Sequence, residues 1–293
     1  MQKSLLKKSL GIIIAALIFT SCSHAPVEQY STFNEDLPSS SETQPQQIEQ
    51  TLPQGSACES AETSKNETDV WNVSNVDVSY VAKDKKLMAF TFDDAPARTL
   101  ESILAVFAAF NETHPNCPAT ATIFFNGGRF NQQTKHLLYA ACALGFELGN
   151  HTHSHLDLTM LSEREIEYEI SATDALLSEI DHSPLHLLRA PFGKTNELIK
   201  SLAKTPIIDW NVDTLDWTGI DENKIYERVF SNRQDGSIVL MHDGYQATVS
   251  ALKRLLPDLE KEGYQIVSVS ALAKAHNCNL RRGRVYIRAR QQT

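Results

Sequence analysis

The chain is predicted to fold as an α/β protein around a mainly parallel sheet, on three observations. From about residue 85 onward, short β-rich apolar runs alternate with helical stretches. Seven such alternations occupy about 190 residues, fewer than the roughly 250 of a full eight-unit barrel, so a small or incomplete barrel is expected, with an open doubly wound sheet as the alternative. Unusual polar residues, namely Asp93-Asp94, His151, Arg189, Asp213 and His242, each fall at or just past the C-terminal end of an expected strand. That edge is where barrels and open parallel sheets build their sites.

In order, the expected strands are Leu87–Phe92, Ala121–Phe125, Phe146–Gly149, His186–Leu188, Ile207–Val212, Ser237–Met241 and Gln265–Val269. Helical spacing marks Thr99–Glu112, Gln133–Leu144, Glu163–Ile180, Glu197–Lys204, Glu222–Phe230, Thr248–Glu262 and Ala271–His276. The third helix has a capping-box start at Ser162-Glu163-Arg164-Glu165, and Ile166, Ile170, Leu177 and Ile180 define its apolar face. Pro257 is expected to kink its helix or end it early. No G-x-G-x-x-G or P-loop follows any strand, which removes the usual nucleotide-binding readings.

Of the 293 residues, 42% are hydrophobic and 22% charged, enough for one large core and incompatible with global disorder. A net charge of −9 argues against a nucleic-acid partner. The apolar run Leu10–Phe19 is shorter than the roughly 20 residues of a spanning helix and follows Lys3, Lys7 and Lys8, so residues 1–21 read as an export signal. Ile18-Phe19-Thr20-Ser21-Cys22 resembles a bacterial lipobox, with Phe19 where Leu is usual. The resemblance implies a lipid on Cys22 and an exported, membrane-anchored lipoprotein.

Residues 22–84 read as an acidic flexible tether, too poor in apolar side chains to offset chain entropy. The folded body is expected over residues 85–276. Residues 277–293 read as a basic tail containing Arg281, Arg282, Arg284, Arg288 and Arg290, docked by Val285, Tyr286 and Ile287. Cys58, Cys117, Cys142 and Cys278 allow up to two disulfides, with the pairing open.

The polar residues at the strand ends suggest chemistry as a set. Adjacent carboxylates at Asp93-Asp94 repel unless a cation or a shared proton relieves them, and alternation on a strand permits one to bind metal while the other handles a proton. Taken alone, such a pair is more often a turn or a cap. His151 and His155, four apart, share a face if they lie on a turn of helix and then chelate one cation. His153 would point elsewhere. Two imidazoles and one carboxylate leave coordination positions open for water. Arg189-Ala190-Pro191-Phe192-Gly193, Asp213-Thr214-Leu215-Asp216-Trp217 and Leu240-Met241-His242-Asp243 add an orienting cation, further acids, an aromatic wall and a second titratable group.

These five segments, in this order, resemble the polysaccharide deacetylases of the NodB-homology type, carbohydrate esterase family four, over about Leu87 to Ala273. The resemblance implies a distorted seven-stranded (β/α) barrel that hydrolyses acetyl groups on sugars with one divalent cation, commonly zinc. Thr91-Phe92-Asp93-Asp94 matches T-F-D-D, which makes Asp93 the base and Asp94 a metal ligand. His151-Thr152-His153-Ser154-His155 matches H-T-x-x-H and supplies the other two ligands. Arg189-Ala190-Pro191-Phe192 matches R-x-P-Y, implying that Arg189 orients the base while Pro191 and Phe192 form the oxyanion and substrate side. Asp213 to Trp217 matches D-x-x-D-W, in which Asp213 is expected to tune the catalytic histidine, and Asp216 and Trp217 to line the groove. His242 is the general acid. Ala95 and Phe192 depart from the usual Gly and Tyr without touching a ligand or a proton carrier. The implied partner is an acetylated glycan, handled by a monomer. An acetylxylan esterase and an inactive carbohydrate-binding lipoprotein are the alternatives.

Overall fold

The computed structural model describes residues 56–58 and 69–291. The export signal 1–21 and Cys22 lie outside the described residues. Strands are β1 (Ser56–Cys58), β2 (Lys86–Ala95), β3 (Thr122–Phe125), β4 (Glu147–Asn150), β5 (Ile207–Ile208), β6 (Val212–Asp213), β7 (Ser237–His242), β8 (Tyr264–Val267) and β9 (Val285–Gln291). Helices are α1 (Leu100–Thr113), α2 (Gln132–Ala143), α3 (Glu163–Asp181), α4 (Glu197–Leu202), α5 (Glu222–Ser231), α6 (Gln246–Lys261) and α7 (Val269–Ala275). No helix among the described residues is long and apolar enough to cross a membrane.

Strand β2 is the axis of the fold because it is apolar on both faces. Met88, Phe90 and Phe92 pack outward with Ile103 and Phe107 of α1 and Leu252, Leu255 and Leu259 of α6, whereas Leu87 and Ala89 join Phe124, Ile208 and Ile238 in a second cluster. Period-two alternation therefore puts residues 87, 89, 91 and 93 on one side, which delivers Asp93 to the same side as Thr91.

β2 pairs in parallel with β3, β7 and β8, and β3 with β4. Single bridges from Asn150 to Leu188 and from Leu188 to Ile207 carry the sheet on to β5, which pairs with β9. β9 returns to β7 through an antiparallel contact, Ser237 with Arg288. The circuit is the distorted barrel that the motifs implied.

Several elements differ from expectation for identifiable reasons. The run His186–Leu188 contributes only the bridging residue Leu188, and Ile207–Val212 is split into β5 and β6. Pro257 neither breaks nor ends α6, which runs on to Lys261. Buried Leu255, Leu256 and Leu259 hold that last turn onto the core, which outweighs the one backbone bond that proline forfeits.

The folded body also extends beyond 85–276. Trp71, Val76, Val78, Tyr80 and Val81, assigned to the tether, pack against the second core cluster. Of the segment assigned to a basic tail, residues 285–291 are a sheet strand with Tyr286 and Ala289 buried. In both cases sparse apolar residues among charges anchor the segment, and bulk composition conceals them. Cys117 and Cys142 are free thiols while Cys278 is disulfide-bonded, so the expected ceiling of two bridges is not reached.

Candidate metal centre and active site

Arg189 is the hub of the site, with no exposed surface. Its Nη1 donates to Asp93 Oδ1 at 2.8 Å and Thr91 Oγ1 at 2.6 Å, its Nε to the Ile208 carbonyl at 2.8 Å, and its Nη2 to the Asp209 carbonyl at 3.1 Å. The guanidinium also lies over the Phe124 ring, 4.2 Å from its centroid. A buried guanidinium with its donors spent in this way is fixed in direction, and it fixes Asp93 in turn. Burial pushes the Asp93 carboxyl toward the neutral form, but the Arg189 charge, with smaller help from His151 and His242, holds it below the usual carboxylate range. Asp93 is therefore an oriented carboxylate.

Asp94, His151 and His155 each offer one ligand atom, and the three atoms lie within 4.8 Å of one another. They come together without a helix. The segment after β4 is irregular, and left-handed backbone at Asp94 (φ 66°), Thr152 (φ 65°) and His155 (φ 55°) turns the side chains inward. Each such residue costs of the order of 1 kcal/mol, so the surrounding contacts must hold it there. The imidazoles of His151 and His155 meet edge to face at 4.9 Å.

Two observations fit a cation at this cluster. Asp94 Oδ1 is buried without a hydrogen-bond partner, a costly state for a carboxylate oxygen. His151 Nδ1 lies 2.8 Å from the Arg189 carbonyl, which fixes the proton on Nδ1 and leaves the Nε2 lone pair facing the cluster. Burial lowers the His151 pKa and keeps the ring neutral, as a ligand must be. Ala95 is not among the positive-φ residues, so its replacement of glycine costs nothing.

The His151–His155 segment is clamped from three sides. Gly127 and Gly128 donate backbone N–H groups to the Thr152 and His153 carbonyls at 3.0 and 2.8 Å. A Cβ on Gly127 would stand 2.6 Å from Thr173 Oγ1 and 2.7 Å from His153 Nδ1, so this approach requires glycine. Asn126 Nδ2 donates to the His151 carbonyl at 2.8 Å. Asn150, with no exposed surface, accepts the Thr152 N–H at 2.9 Å and donates to Asp174 Oδ1 at 2.9 Å and the Ile170 carbonyl at 2.8 Å. His153 is not a ligand, and its ring packs against Tyr168.

Asp174 Oδ1 also meets His186 Nδ1 at 3.0 Å, and His186 Nε2 lies 3.2 Å from Asp181. Burial alone would lower the His186 pKa, but the two carboxylates raise it to about 9. A folded pKa above the free value of about 6.5 means that stability from this pair is fully present below that value and is lost as pH rises through about 9. The contribution is of the order of 3 kcal/mol. Denaturant titrations are expected to show unfolding free energy falling across that window, with a shallower fall in His186→Gln.

On the opposite side, His242 Nδ1 lies 2.7 Å from Asp216 Oδ1, while Asp216 Oδ2 accepts the His242 N–H at 2.8 Å and the Thr248 hydroxyl at 2.7 Å. Burial disfavours the charged His242 ring, but Asp216 outweighs it and raises the pKa. Asp216, not Asp213, is therefore the acid that tunes His242. The 3-10 turn Asp216–Thr218 aims the Asp216 side chain at the imidazole, whereas Asp213 is occupied in accepting the Leu215 N–H at 2.8 Å. The same turn leaves Trp217 40% exposed.

Phe192 lies in the turn Pro191–Gly193 with a left-handed φ of 62°, its ring 60% exposed and edge-on to His155 at 4.9 Å. As the second residue of that turn, its N–H precedes the turn's own hydrogen bonds and is available to an oxyanion. Pro191 is buried beneath it. Sequence reasoning assigned no role to Asn126, Gly127, Gly128, Asn150 or Asp243. Asp243 accepts from Ala97 and Thr99 and ties the loop after β7 to the loop after β2. Asn150 adjoins His151 in the sequence, and that adjacency was the available signal. Asp209, whose own carbonyl accepts from Arg189, is buried with its carboxyl pushed up to about 7, chiefly by burial.

Comparison with known proteins gives a consistent set of relatives. Residues 80–206 match the family model described as polysaccharide deacetylase. The chain is 33% identical over 203 residues to a peptidoglycan-N-acetylglucosamine deacetylase of Bacillus cereus, covering 66% of this chain and 91% of that protein. It is also 33% identical over 193 residues to the peptidoglycan-N-acetylmuramic acid deacetylase PdaC of Bacillus subtilis, covering 66% of this chain but only 40% of that longer protein. The solved structure of PdaC superposes with a TM-score of 0.61 at 32% identity, covering 67% of this chain and 93% of the solved chain.

Proposed function

The chain belongs to the polysaccharide deacetylase family, carbohydrate esterase family four, and from that membership we propose that it hydrolyses the acetamido group of an amino sugar in a bacterial wall glycan, releasing acetate. The observation that carries the reading is a three-ligand cluster beside an oriented carboxylate, Asp93, which pairs in register with a carboxylate-backed histidine, His242. Asp94, His151 and His155 fit a divalent cation, and their one-oxygen, two-nitrogen set suits zinc. When bound, such a cation polarises the acetyl carbonyl and lowers the pKa of its water from 15.7 to about 7.

The chain's own residues supply the rest. Asp93 accepts the proton of the attacking water, held toward it by Arg189. The Phe192 N–H donates to the carbonyl oxygen as negative charge develops there. Protonated His242 gives its proton to the departing nitrogen, and Asp216 stabilises the imidazolium that does so. The products are acetate and a free amino group.

Acetate release by zinc-reconstituted protein from peptidoglycan, chitooligosaccharides and acetylxylan tests the reading. Turnover on the first two and little on the third is expected. Turnover confined to acetylxylan contradicts an amide substrate. The anchor is part of the proposal and rests on Lys3, Lys7, Lys8, the apolar run and Cys22. Cys22→Ser is expected to move the full chain from the membrane fraction to the soluble one, and retention in membranes contradicts it.

A further inference from the structure

The buried face of α3 carries acids where a helix packed on a core is expected to carry apolar side chains. Ile166, Leu177 and Ile180 meet that expectation, but Glu169, Thr173 and Asp174, on the turns between them, are buried as well. Glu169 is only 4% exposed and Asp174 only 5%. Taking a carboxylate out of water is costly, and an apolar side chain of similar volume at such a position is often neutral or stabilising. Stability of the barrel therefore does not account for these acids, whereas their targets do.

Both reach the segment that carries the two imidazole ligands. Glu169 Oε2 accepts the Ser154 N–H at 2.7 Å, and Ser154 immediately precedes His155. Asp174 Oδ1 accepts from Asn150 Nδ2 at 2.9 Å, and Asn150 immediately precedes His151. The Ile170 carbonyl takes the other Nδ2 hydrogen at 2.8 Å. With both amide hydrogens engaged on α3, Asn150 presents Oδ1 to the Thr152 N–H, 2.9 Å away, and steadies the left-handed backbone between the two ligands. Threonine, branched at Cβ, rarely adopts such a φ unaided. His186 Nδ1, 3.0 Å from the same Asp174 oxygen, gives that carboxylate a counter-charge.

We infer that Glu169 and Asp174 are positioning residues for the metal centre: each holds, from α3, the residue just before one histidine ligand, so that His151 and His155 keep the spacing one cation needs. Among the described residues, neither carboxylate is hydrogen-bonded to a ligand side chain, so both act through the backbone and Asn150. Zinc–nitrogen bonds of about 2.0–2.1 Å leave little tolerance, and a spacing set before the metal arrives raises affinity for it. The inference rests on the metal centre of the reading above.

The test measures zinc affinity of the full chain by competition with a chromophoric chelator, and two kinds of substitution separate reach from charge. Glu169→Gln and Asp174→Asn keep the side-chain length and an acceptor oxygen but lose the charge. Glu169→Asp and Asp174→Ser draw the acceptor back, the first with its charge intact. The shortened variants are expected to bind zinc ten- to a hundredfold more weakly, roughly the scale on which groups behind a metal ligand act. The amide variants are expected to keep most of the affinity. Near-UV circular dichroism of the metal-free chains restricts the comparison to folded protein. Should a shortened variant not fold, Glu169→Met or Asp174→Leu, which fill the space without an acceptor, takes its place.

A folded variant without the acceptor that loses less than about tenfold in zinc affinity overturns the inference for that acid. An amide variant that binds zinc no more tightly than its shortened counterpart also overturns it, since charge and not position would then be acting. If the unaltered chain itself binds no zinc, it is the metal reading that fails, and the inference falls with it.

Discussion

Asp94→Ala is expected to abolish stoichiometric zinc binding and to lower acetate release by roughly a thousandfold, the worth of about 4 kcal/mol of lost Lewis-acid stabilisation. The size follows from the site's construction. The carboxylate oxygen lost is a buried one without a hydrogen-bond partner, so nothing in the resting protein replaces its contribution to a cation. His151→Ala should behave alike, because His151 is only 2% exposed and its ring is already held in the ligating tautomer by the Arg189 carbonyl. Metal content by mass spectrometry and acetate release by enzymatic assay read the two effects separately. A variant that keeps one zinc per chain and full turnover contradicts the ligand assignment.

Asp216→Asn is expected to lower amide turnover by roughly a hundred- to ten-thousand-fold while leaving zinc in place, whereas Asp213→Asn is expected to change it little. Asp216 is the group that raises the His242 pKa, so its loss favours the neutral ring. The acid form then disappears at lower pH, and the falling limb of the pH–rate profile should move in that direction. Esters with a good leaving group need no proton on departure and should be far less affected. Equal losses on amide and activated ester contradict the acid role of His242. A larger loss in Asp213→Asn contradicts the hydrogen bonds that single out Asp216.

The barrel and its site were legible to different depths. Strands with long apolar runs, such as β2 and β7, could be read because burial on both faces leaves an unbroken signal. The two-residue strands β5 and β6 were not separated within Ile207–Val212, since the link Asp209-Trp210-Asn211 carries neither Gly nor Pro, although its Asp and Asn disfavour a strand. β9 hid among arginines, and the three strands it pairs with, β1, β5 and β7, lie far away in sequence.

At the site, the motifs identified which side chains carry chemistry but not how they meet. Four-residue spacing suggested a helical turn for His151 and His155, whereas three left-handed residues do the work, and nothing local in Thr152 or His155 announces a positive φ. The choice between Asp213 and Asp216 was equally closed to sequence, since it depends on a 3-10 turn three residues long.

Diffraction from crystals grown with zinc, recorded at the zinc absorption edge, tests the central claim most directly. One anomalous peak is expected about 2.0–2.2 Å from Asp94 Oδ1 and from a ring nitrogen of each of His151 and His155. A peak bound elsewhere, or none at this cluster in zinc-saturated crystals, would contradict the account.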